Sequence, residues 1–256
     1  MNRIRVEISH GIGRITLARP EKKNALDQLA AEELTQALEQ HDADPSVRVV
    51  LLDADGEDFC AGADLAALED MLAAGADAHR RDADALGRVF TTMREMSRPV
   101  VGAVRGRALA GGAGLATACD IVLAEETARF GYPEVRLGFV PAMVMTMLRR
   151  GAGERRAFEL VATGRQIDAR EALDIGLVSR VLPAAEFPRQ VNDIVARIAQ
   201  SPLGALAAIK RLYYALDGRS FRDSMALGAA TNVEARATEE FRDGVRRFLA
   251  RSGGSP

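Results

Sequence analysis

Three short runs of mostly apolar residues restrict what this chain can fold into. They lie at residues 47–52, 99–104 and 120–124, and helical patterns or glycine-rich turns separate them. Runs this short and apolar are typical of strands that are buried on both faces, as in a parallel sheet covered by helices. The alternation of such strands with helices predicts an α/β fold.

The first residues of the chain predict two further strands. Ile4, Val6 and Ile8 alternate with polar residues, and Ile15 and Leu17 continue the alternation after a glycine-containing turn. An alternation with a period of two indicates a strand with one buried face. The chain is therefore expected to open with two strands, a helix and then the first fully buried strand.

Helical periodicity accounts for most of the remaining chain. A first helix is predicted over residues 26–38, and a helical insertion rich in Ala, Asp and Arg over residues 66–98. From residue 141 onward the pattern is mostly helical, with one short strand at residues 177–182. The predicted helices of this part cover residues 143–150, 154–162, 169–173, 187–199, 203–215, 221–235 and 239–249.

Composition and charge argue against several classes of protein. A formal net charge of -2 and a pI near 6.0 argue against general nucleic-acid binding. Residues 108–119 form the longest nearly apolar run, which is too short for a membrane span, and residues 1–13 lack the apolar stretch of a secretory signal. Only two cysteines occur, Cys60 and Cys119, which favours buried, reduced thiols over a disulfide framework. We therefore expect a cytoplasmic protein with neither a nucleic-acid nor a membrane partner.

The motifs of several common catalytic sites are missing from the sequence. There is no glycine fingerprint for dinucleotides, no phosphate-binding P-loop, no zinc-protease HExxH and no GxSxG elbow. The three histidines, His10, His41 and His79, lack metal-ligand spacing and are interpreted as surface residues, so no metal site is predicted. Carboxylates and backbone amides remain as the candidate catalytic groups.

Two segments rich in small residues stand out, at residues 59–65 and 106–116. Glycine allows a backbone to approach a ligand closely and to present its N–H groups. In the second segment the glycines are expected to open a short helix, whose N-terminus favours a developing negative charge. Composition alone favours structural turns over a ligand site for both segments.

Short motifs along nearly the whole chain are similar to those of one family. They are Arg19-Pro20, Asn24-Ala25-Leu26, Ala61-Gly62-Ala63-Asp64, Gly111-Gly112, Ala118-Cys119-Asp120, Phe130-Gly131, Pro133-Glu134, Leu137-Gly138, Thr163-Gly164 and residues 172–178. A single motif would be weak evidence, but this many in order are specific. The chain resembles the crotonase superfamily, the enoyl-CoA hydratase/isomerase family.

This resemblance implies an architecture as well as a substrate class. It implies a crotonase-like ββα superhelix over residues 1–196, followed by a helical C-terminal oligomerisation region over residues 197–256 that builds a trimer. The trimers of similar proteins commonly pair into hexamers, so a homotrimer or a hexamer is expected. The substrate class is an acyl-CoA thioester, with coenzyme A as part of the substrate and no separate cofactor.

The resemblance also implies the roles of particular residues. The backbone N–H groups of Ala63 and Gly111 are expected to form an oxyanion hole for the thioester oxygen, and Glu134 is expected to be the catalytic general acid/base. Without the resemblance, Glu134 in its loop after Pro133 would be interpreted as a solvated surface acid. Residues matched to the family's coenzyme A and substrate contacts are Lys23, Ala25, Ala61, Asp64, Leu65 and Gly112, with Lys22 as a further candidate for phosphate contact.

One position departs from the family pattern and leaves the reaction open. Hydratases of the family use a second glutamate where this chain has Gly114. Similarity over residues 134–142 favours an enoyl-CoA hydratase, whereas a single carboxylate suits a Δ3,Δ2-enoyl-CoA isomerase. Hydrolysis or decarboxylation of a CoA ester, and a non-catalytic protein that binds acyl-CoA or RNA, are more remote alternatives.

Overall fold

The computed structural model describes residues 2–252, and its principal feature is a six-stranded sheet. Its strands are β1 (Ile4–Ser9), β2 (Ile12–Leu17), β3 (Val49–Ala54), β4 (Val100–Val104), β6 (Ile121–Glu125) and β9 (Arg180–Leu182), in that spatial order. The first two strands form an antiparallel hairpin, and every later neighbour pairs in parallel. The predicted α/β fold is therefore confirmed.

The central strands are buried on both faces, as their composition predicts. Along β3, Val50 and Leu52 belong to one apolar cluster, while Val49 and Leu51 belong to a second. Because successive side chains of a strand point to opposite faces, the two clusters lie on opposite sides of the sheet. Helix α8 (Phe187–Ala199) supplies apolar residues to the second cluster.

A second sheet of three strands was not predicted from the sequence. It contains β5 (Arg107–Leu109), β7 (Arg129–Gly131) and β8 (Gln166–Asp168), each of only three residues. Strands β5 and β7 pair in parallel, with Leu109 opposite Gly131. Strands this short show no recognisable periodicity in the sequence, yet β5 and β7 lead directly into the residues of the candidate site.

Helices account for most of the remaining described residues. They are α1 (Gln28–Ala43), α2 (Leu65–Leu72), α3 (Ala76–Glu95), α4 (Gly111–Ala118), α5 (Ala142–Ala152), α6 (Glu154–Thr163), α7 (Ala169–Asp174) and α8, followed by α9 (Leu203–Ala215), α10 (Phe221–Ala237) and α11 (Glu239–Ser252). The predicted insertion is two helices, α2 and α3. Asp27 caps the start of α1 by accepting a hydrogen bond of 2.7 Å from the Ala30 amide.

The chain divides into two compact units at the end of α8, between Ala199 and Gln200. The first unit contains both sheets and helices α1 to α8, and the second contains α9, α10 and α11. The division predicted after residue 196 falls inside α8, whereas the observed units separate where that helix ends.

The interpretation of His41 as a surface residue is wrong. The side chain is buried between α1 and β2, and its Nε2 lies 3.5 Å from the Arg14 carbonyl oxygen. A Cβ atom at Gly13 would lie 2.9 Å from the imidazole ring, so the ring packs directly on the strand. Burial lowers the pKa of His41, which favours a neutral imidazole in the core.

Candidate active site

The two segments rich in small residues lie side by side in the first unit. Cys60 and Ala108 form a parallel bridge, and the Leu109 amide donates a 2.9 Å hydrogen bond to the Cys60 carbonyl. Three residues beyond each member of this bridge are Ala63 and Gly111. Because the segments run in the same direction, the backbones of Ala63 and Gly111 are brought next to each other.

Glycine is required for this close approach of the two segments. A Cβ atom at Gly112 would lie 2.2 Å from the Cys60 carbonyl oxygen, which no side chain could tolerate. Gly62 has a φ of +104° and packs against Ala110. Composition alone favoured ordinary turns for these glycines. In the structure they allow the backbones of the two segments to pack closely together.

The amide of Ala63 is directed away from the neighbouring segment at Leu26. In a parallel bridge with Leu26, the Leu26 amide donates to Gly62 at 2.7 Å, and the Asp64 amide donates to Leu26 at 2.8 Å. Both bonds involve the neighbours of Ala63, so its own N–H group points to the other side. Within residues 2–252 this amide donates no hydrogen bond, and Ala63 is exposed to solvent.

The amide of Gly111 is available because it lies at the start of a helix. Gly111 is the first residue of α4, and N–H groups of a first helical turn have no partner within the helix. The preceding Ala110 has the rare backbone angles φ +49° and ψ −121°, and its own amide donates to Gly131 at 2.8 Å. The described part of the chain offers no acceptor to the Gly111 amide.

Glu134 reaches the same place from the neighbouring strand. Strands β5 and β7 are parallel, so the residues after Leu109 and those after Gly131 leave the small sheet at the same end. Glu134 then lies in a short 3-10 helix, Pro133–Leu137, and its carbonyl accepts a 3.1 Å hydrogen bond from the Phe139 amide. Glu134 is three residues beyond Gly131 and Gly111 is two beyond Leu109, so we infer that both lie at this end of the small sheet.

The side chain of Glu134 lies in surroundings that disfavour its charge. The residue is 8% exposed, and its Oε2 atom is buried without a hydrogen-bond partner among the described residues. Burial raises the pKa of Glu134 above its ordinary value. The interpretation as a solvated surface acid is therefore wrong, and the raised pKa lets the carboxyl group hold a proton to a higher pH than an exposed glutamate does.

The space beside Gly114 is filled by apolar side chains. A Cβ atom at this position would lie 2.7 Å from Cγ2 of Val144 and 3.0 Å from Cζ of Phe90. Both side chains are buried, Val144 on α5 and Phe90 on α3. A side chain at position 114 would therefore meet apolar groups at once, and these groups would have to shift to admit a carboxylate there.

The residues matched to substrate contacts include both exposed and buried positions. Lys23 is exposed, and its carbonyl accepts a 3.0 Å hydrogen bond from the half-buried Ala61 amide. Ala25 is buried, as is Gly112 in α4. Leu65, the first residue of α2, is 81% exposed and presents its side chain to solvent.

The carboxylate of Asp64 is engaged in contacts within the protein. The carboxylate caps α2 through a 3.0 Å hydrogen bond from the Ala66 amide and forms a 2.8 Å ion pair with Arg19. Burial works to raise the pKa of Asp64, but these hydrogen bonds outweigh it and the pKa is lowered. The side chain therefore holds the segment after Ala63 in place as a fixed anion.

Sequence analysis did not single out Tyr132 or Thr117. The Tyr132 hydroxyl lies 2.9 Å from Oγ1 of Thr117, at the far end of α4 from Gly111. In the sequence each is an ordinary core or helix residue. The one available signal was the position of the tyrosine immediately before Pro133-Glu134.

Comparison with known proteins identifies the family of the chain. The family model described as enoyl-CoA hydratase/isomerase matches residues 7–253. The chain belongs to the enoyl-CoA hydratase/isomerase family. The predicted membership of the crotonase superfamily and the prediction of an enzyme are both confirmed.

Individual members of the family match along almost their full length. A Thermus thermophilus protein named "Putative enoyl-CoA hydratase" is 40% identical over 96% of this chain and 97% of its own. The crystal structure of human enoyl-CoA hydratase domain-containing protein 3 superimposes with a TM-score of 0.93 at 27% identity, covering 97% and 98% of the two chains. An enoyl-CoA hydratase of Mycobacterium smegmatis gives 0.92 at 28% identity, covering 97% and 96%. The predicted crotonase-like fold with a helical C-terminal region is therefore confirmed.

Proposed function

We propose that this enzyme adds water to the double bond of an α,β-unsaturated acyl-CoA thioester, or removes it in the reverse direction. Glu134 serves as the general acid/base, and the amides of Ala63 and Gly111 serve as the oxyanion hole. The proposal is supported by a buried carboxyl group with one unpartnered oxygen, together with two backbone amides, on adjacent segments, that have no acceptor among the described residues.

In the proposed hydration Glu134 acts twice, first as a base and then as an acid. Glu134 takes a proton from water, and the resulting hydroxyl forms a bond to the β-carbon. The π electrons of the double bond move onto the thioester oxygen, where the two amides stabilise the enolate by about 3–4 kcal/mol each. The enolate then collapses, and the α-carbon receives the proton from Glu134. One water is added, and the carboxylate is regenerated.

The crowding at Gly114 favours a second candidate, Δ3,Δ2-enoyl-CoA isomerisation. In that reaction Glu134 removes a proton from the α-carbon of a 3-enoyl thioester, and the amides hold the same dienolate oxygen. The carboxylic acid then returns its proton to the γ-carbon, which moves the double bond into conjugation. One carboxylate is enough for this transfer, and an apolar wall of Phe90 and Val144 excludes water from it.

Recognition of coenzyme A is proposed along the surface that leads to the two amides. The exposed ammonium group of Lys23, with Lys22 next to it, is suited to a phosphate. The backbone at Ala25, Ala61 and Gly112 would lie along the pantetheine and thioester, and the exposed Leu65 offers an apolar contact. Asp64 contributes by holding this segment rather than by its own contact.

Two substrates distinguish the candidate reactions. Hydration of crotonyl-CoA lowers the absorbance of the conjugated enoyl thioester, whereas isomerisation of 3-hexenoyl-CoA raises it. Glu134→Gln is expected to lower kcat by about 10²–10⁴-fold for whichever reaction the enzyme catalyses. Glu39→Gln, an exposed glutamate on α1, is the matched control and should retain full activity. Full activity of Glu134→Gln with either substrate would overturn the assignment.

A further inference from the structure

Tyr132, two residues before Glu134, is almost completely buried. The residue is 1% exposed, and a phenylalanine would fill the same volume. Its hydroxyl lies 2.9 Å from Thr117 Oγ1, which donates its single hydrogen to the Ala113 carbonyl at 2.7 Å. Tyr132 must therefore be the donor in the pair. The bond joins the segment that carries Glu134 to the helix that begins with Gly111.

The position of the Glu134 side chain depends on the backbone that carries it. Its Oε2 has no hydrogen-bond partner among the described residues, and the backbone hydrogen bond to its carboxyl group comes from its own amide. After Glu134, the backbone is held by the Phe139 amide at 3.1 Å. Before it stands Pro133, whose ring fixes φ and makes a stiff connection to Tyr132.

The Tyr132 hydroxyl also keeps its proton under all working conditions. Burial first, and the negative charge of nearby Glu134 in addition, raise the pKa of Tyr132 above its ordinary value. The donor role toward Thr117 is therefore independent of pH.

We propose that Tyr132 is a positioning residue, whose hydrogen bond to Thr117 fixes Glu134 relative to the amide of Gly111. The inference rests on the proposed function, in which the carboxyl group and the amides act on one thioester. Proton transfer is sensitive to such placement, since a displacement of about 1 Å can reduce the rate by roughly 100-fold. The bond ties Tyr132, two residues before Glu134, to the helix whose first residue is Gly111.

Removing only the hydroxyl tests this proposal. Tyr132→Phe is expected to lower kcat by roughly ten- to a hundredfold while KM stays within about twofold, because substrate contacts are untouched. A released Glu134 would gain contact with water, so the acid limb of the kcat profile should move to lower pH. A variant that merely lost folded protein would show fewer active molecules and an unchanged pH profile.

Variants of Thr117 test the same bond from the helix. Thr117→Val should reproduce the loss of kcat, and Thr117→Ser, which keeps the hydroxyl, should restore most of it. The double variant Tyr132→Phe/Thr117→Val should be no slower than the worse single variant, since both remove one interaction. Thr35→Val is the control: Thr35 likewise bonds to the carbonyl four residues earlier, Ala31, at 2.9 Å, but it is buried and lies in α1.

The outcomes separate this inference from the proposed function. If Glu134→Gln is inactive and Tyr132→Phe keeps the wild-type kcat and pH profile, the positioning role is overturned and the proposed function stands. If Glu134→Gln is fully active, the proposed function fails and the inference fails with it. Should Tyr132→Phe not fold, the contrast between Thr117→Val and Thr117→Ser decides the question alone.

Discussion

Glu134 combines two properties that oppose each other in a folded protein. Its carboxyl group is buried with an unpartnered oxygen, which is unfavourable for stability because a charged acceptor loses its hydration. The same burial raises its pKa and brings proton exchange closer to neutral pH. A residue that served only the fold would carry an amide or an apolar group here.

The first prediction at the residue scale is that Glu134→Gln stabilises the protein at neutral and higher pH. The pKa of Glu134 is raised on folding, so above that pKa the folded protein contains a charge that burial penalises. As the pH falls through the folded-state pKa, the folded protein takes up a proton before the unfolded chain does, and this penalty disappears. We expect the free energy of unfolding of Glu134→Gln to exceed that of the wild type by about 1 kcal/mol at pH 8. This difference should shrink as the pH is lowered toward the ordinary pKa of glutamate.

Urea unfolding of both proteins at several pH values between 8 and about 4.3 measures this difference. Glu39→Gln should show no such pH-dependent gain, since Glu39 is exposed. A Glu134→Gln variant less stable than the wild type at pH 8 would contradict the prediction. It would show that the carboxylate has a partner that the structure does not reveal.

Sequence reasoning at the residue scale depended on the family resemblance. Glu134, Ala63 and Gly111 were singled out by their motifs, whereas their residue types alone favoured a surface acid and ordinary turns. Without such a motif the prediction for His41 was wrong, because burial of a lone polar residue leaves no local pattern. Tyr132 and Thr117 were missed because they are 15 residues apart and meet only through the fold.

Helix α4 is the element on which the site depends most. It has eight residues, and its small side chains allow close packing on two sides, with Gly112 against Cys60 and Gly114 against Val144 and Phe90. Glycine inside a helix costs about 1 kcal/mol relative to alanine. The close contacts explain why these two positions retain it, and they fix the helix and its Gly111 amide in place.

The prediction for this element is that Gly114→Ala destabilises the protein, although alanine is the better helix former. The added Cβ would lie 2.7 Å from a Val144 methyl group, so the packing must shift. Overpacking of this kind costs about 1–3 kcal/mol. The second substitution Val144→Ala should recover part of the loss by removing the contact, which a double-mutant cycle in urea would measure.

Gly151→Ala provides the matched control for that prediction. Gly151 lies in α5, and an added Cβ would meet only the Gly176 carbonyl oxygen at 3.8 Å, an ordinary contact. The substitution should be neutral or slightly stabilising. Equal stability of Gly114→Ala and the wild type would show that Phe90 and Val144 yield easily, and a second carboxylate could then be accommodated there.

The elements that sequence could predict are those with enough residues to show a period. Strands β3, β4 and β6 are continuous apolar runs, and the long helices have clear apolar faces. Strands β5, β7 and β8 have three residues each, too few for any pattern to emerge. The parallel pairing of β5 with β7 delivers Glu134 to Gly111, so the least predictable sheet determines the geometry of the site.

At the scale of the whole molecule, the helices of the second unit present many apolar side chains to solvent. In the single chain, Phe221 is 83% exposed and Met225 is 59% exposed on α10. Others on α10 and α11 are Val233, Phe241, Val245, Phe248 and Leu249. Extended apolar surfaces of this kind are uncommon on monomers and favour association. None of the described helices is both long and apolar enough to cross a membrane.

We expect these side chains to be covered by other copies of the chain, in a homotrimer or a hexamer. Light scattering after size exclusion should give a mass three or six times the 27.5 kDa of one chain. Phe221→Asp/Met225→Asp should dissociate the assembly, because burying two carboxylates without partners outweighs the apolar gain of each contact. Asn232→Asp adds a charge at an exposed polar position of the same helix and should leave the mass unchanged. A wild-type mass of one chain would contradict the assembly, and an unchanged mass for the double variant would place the interface elsewhere.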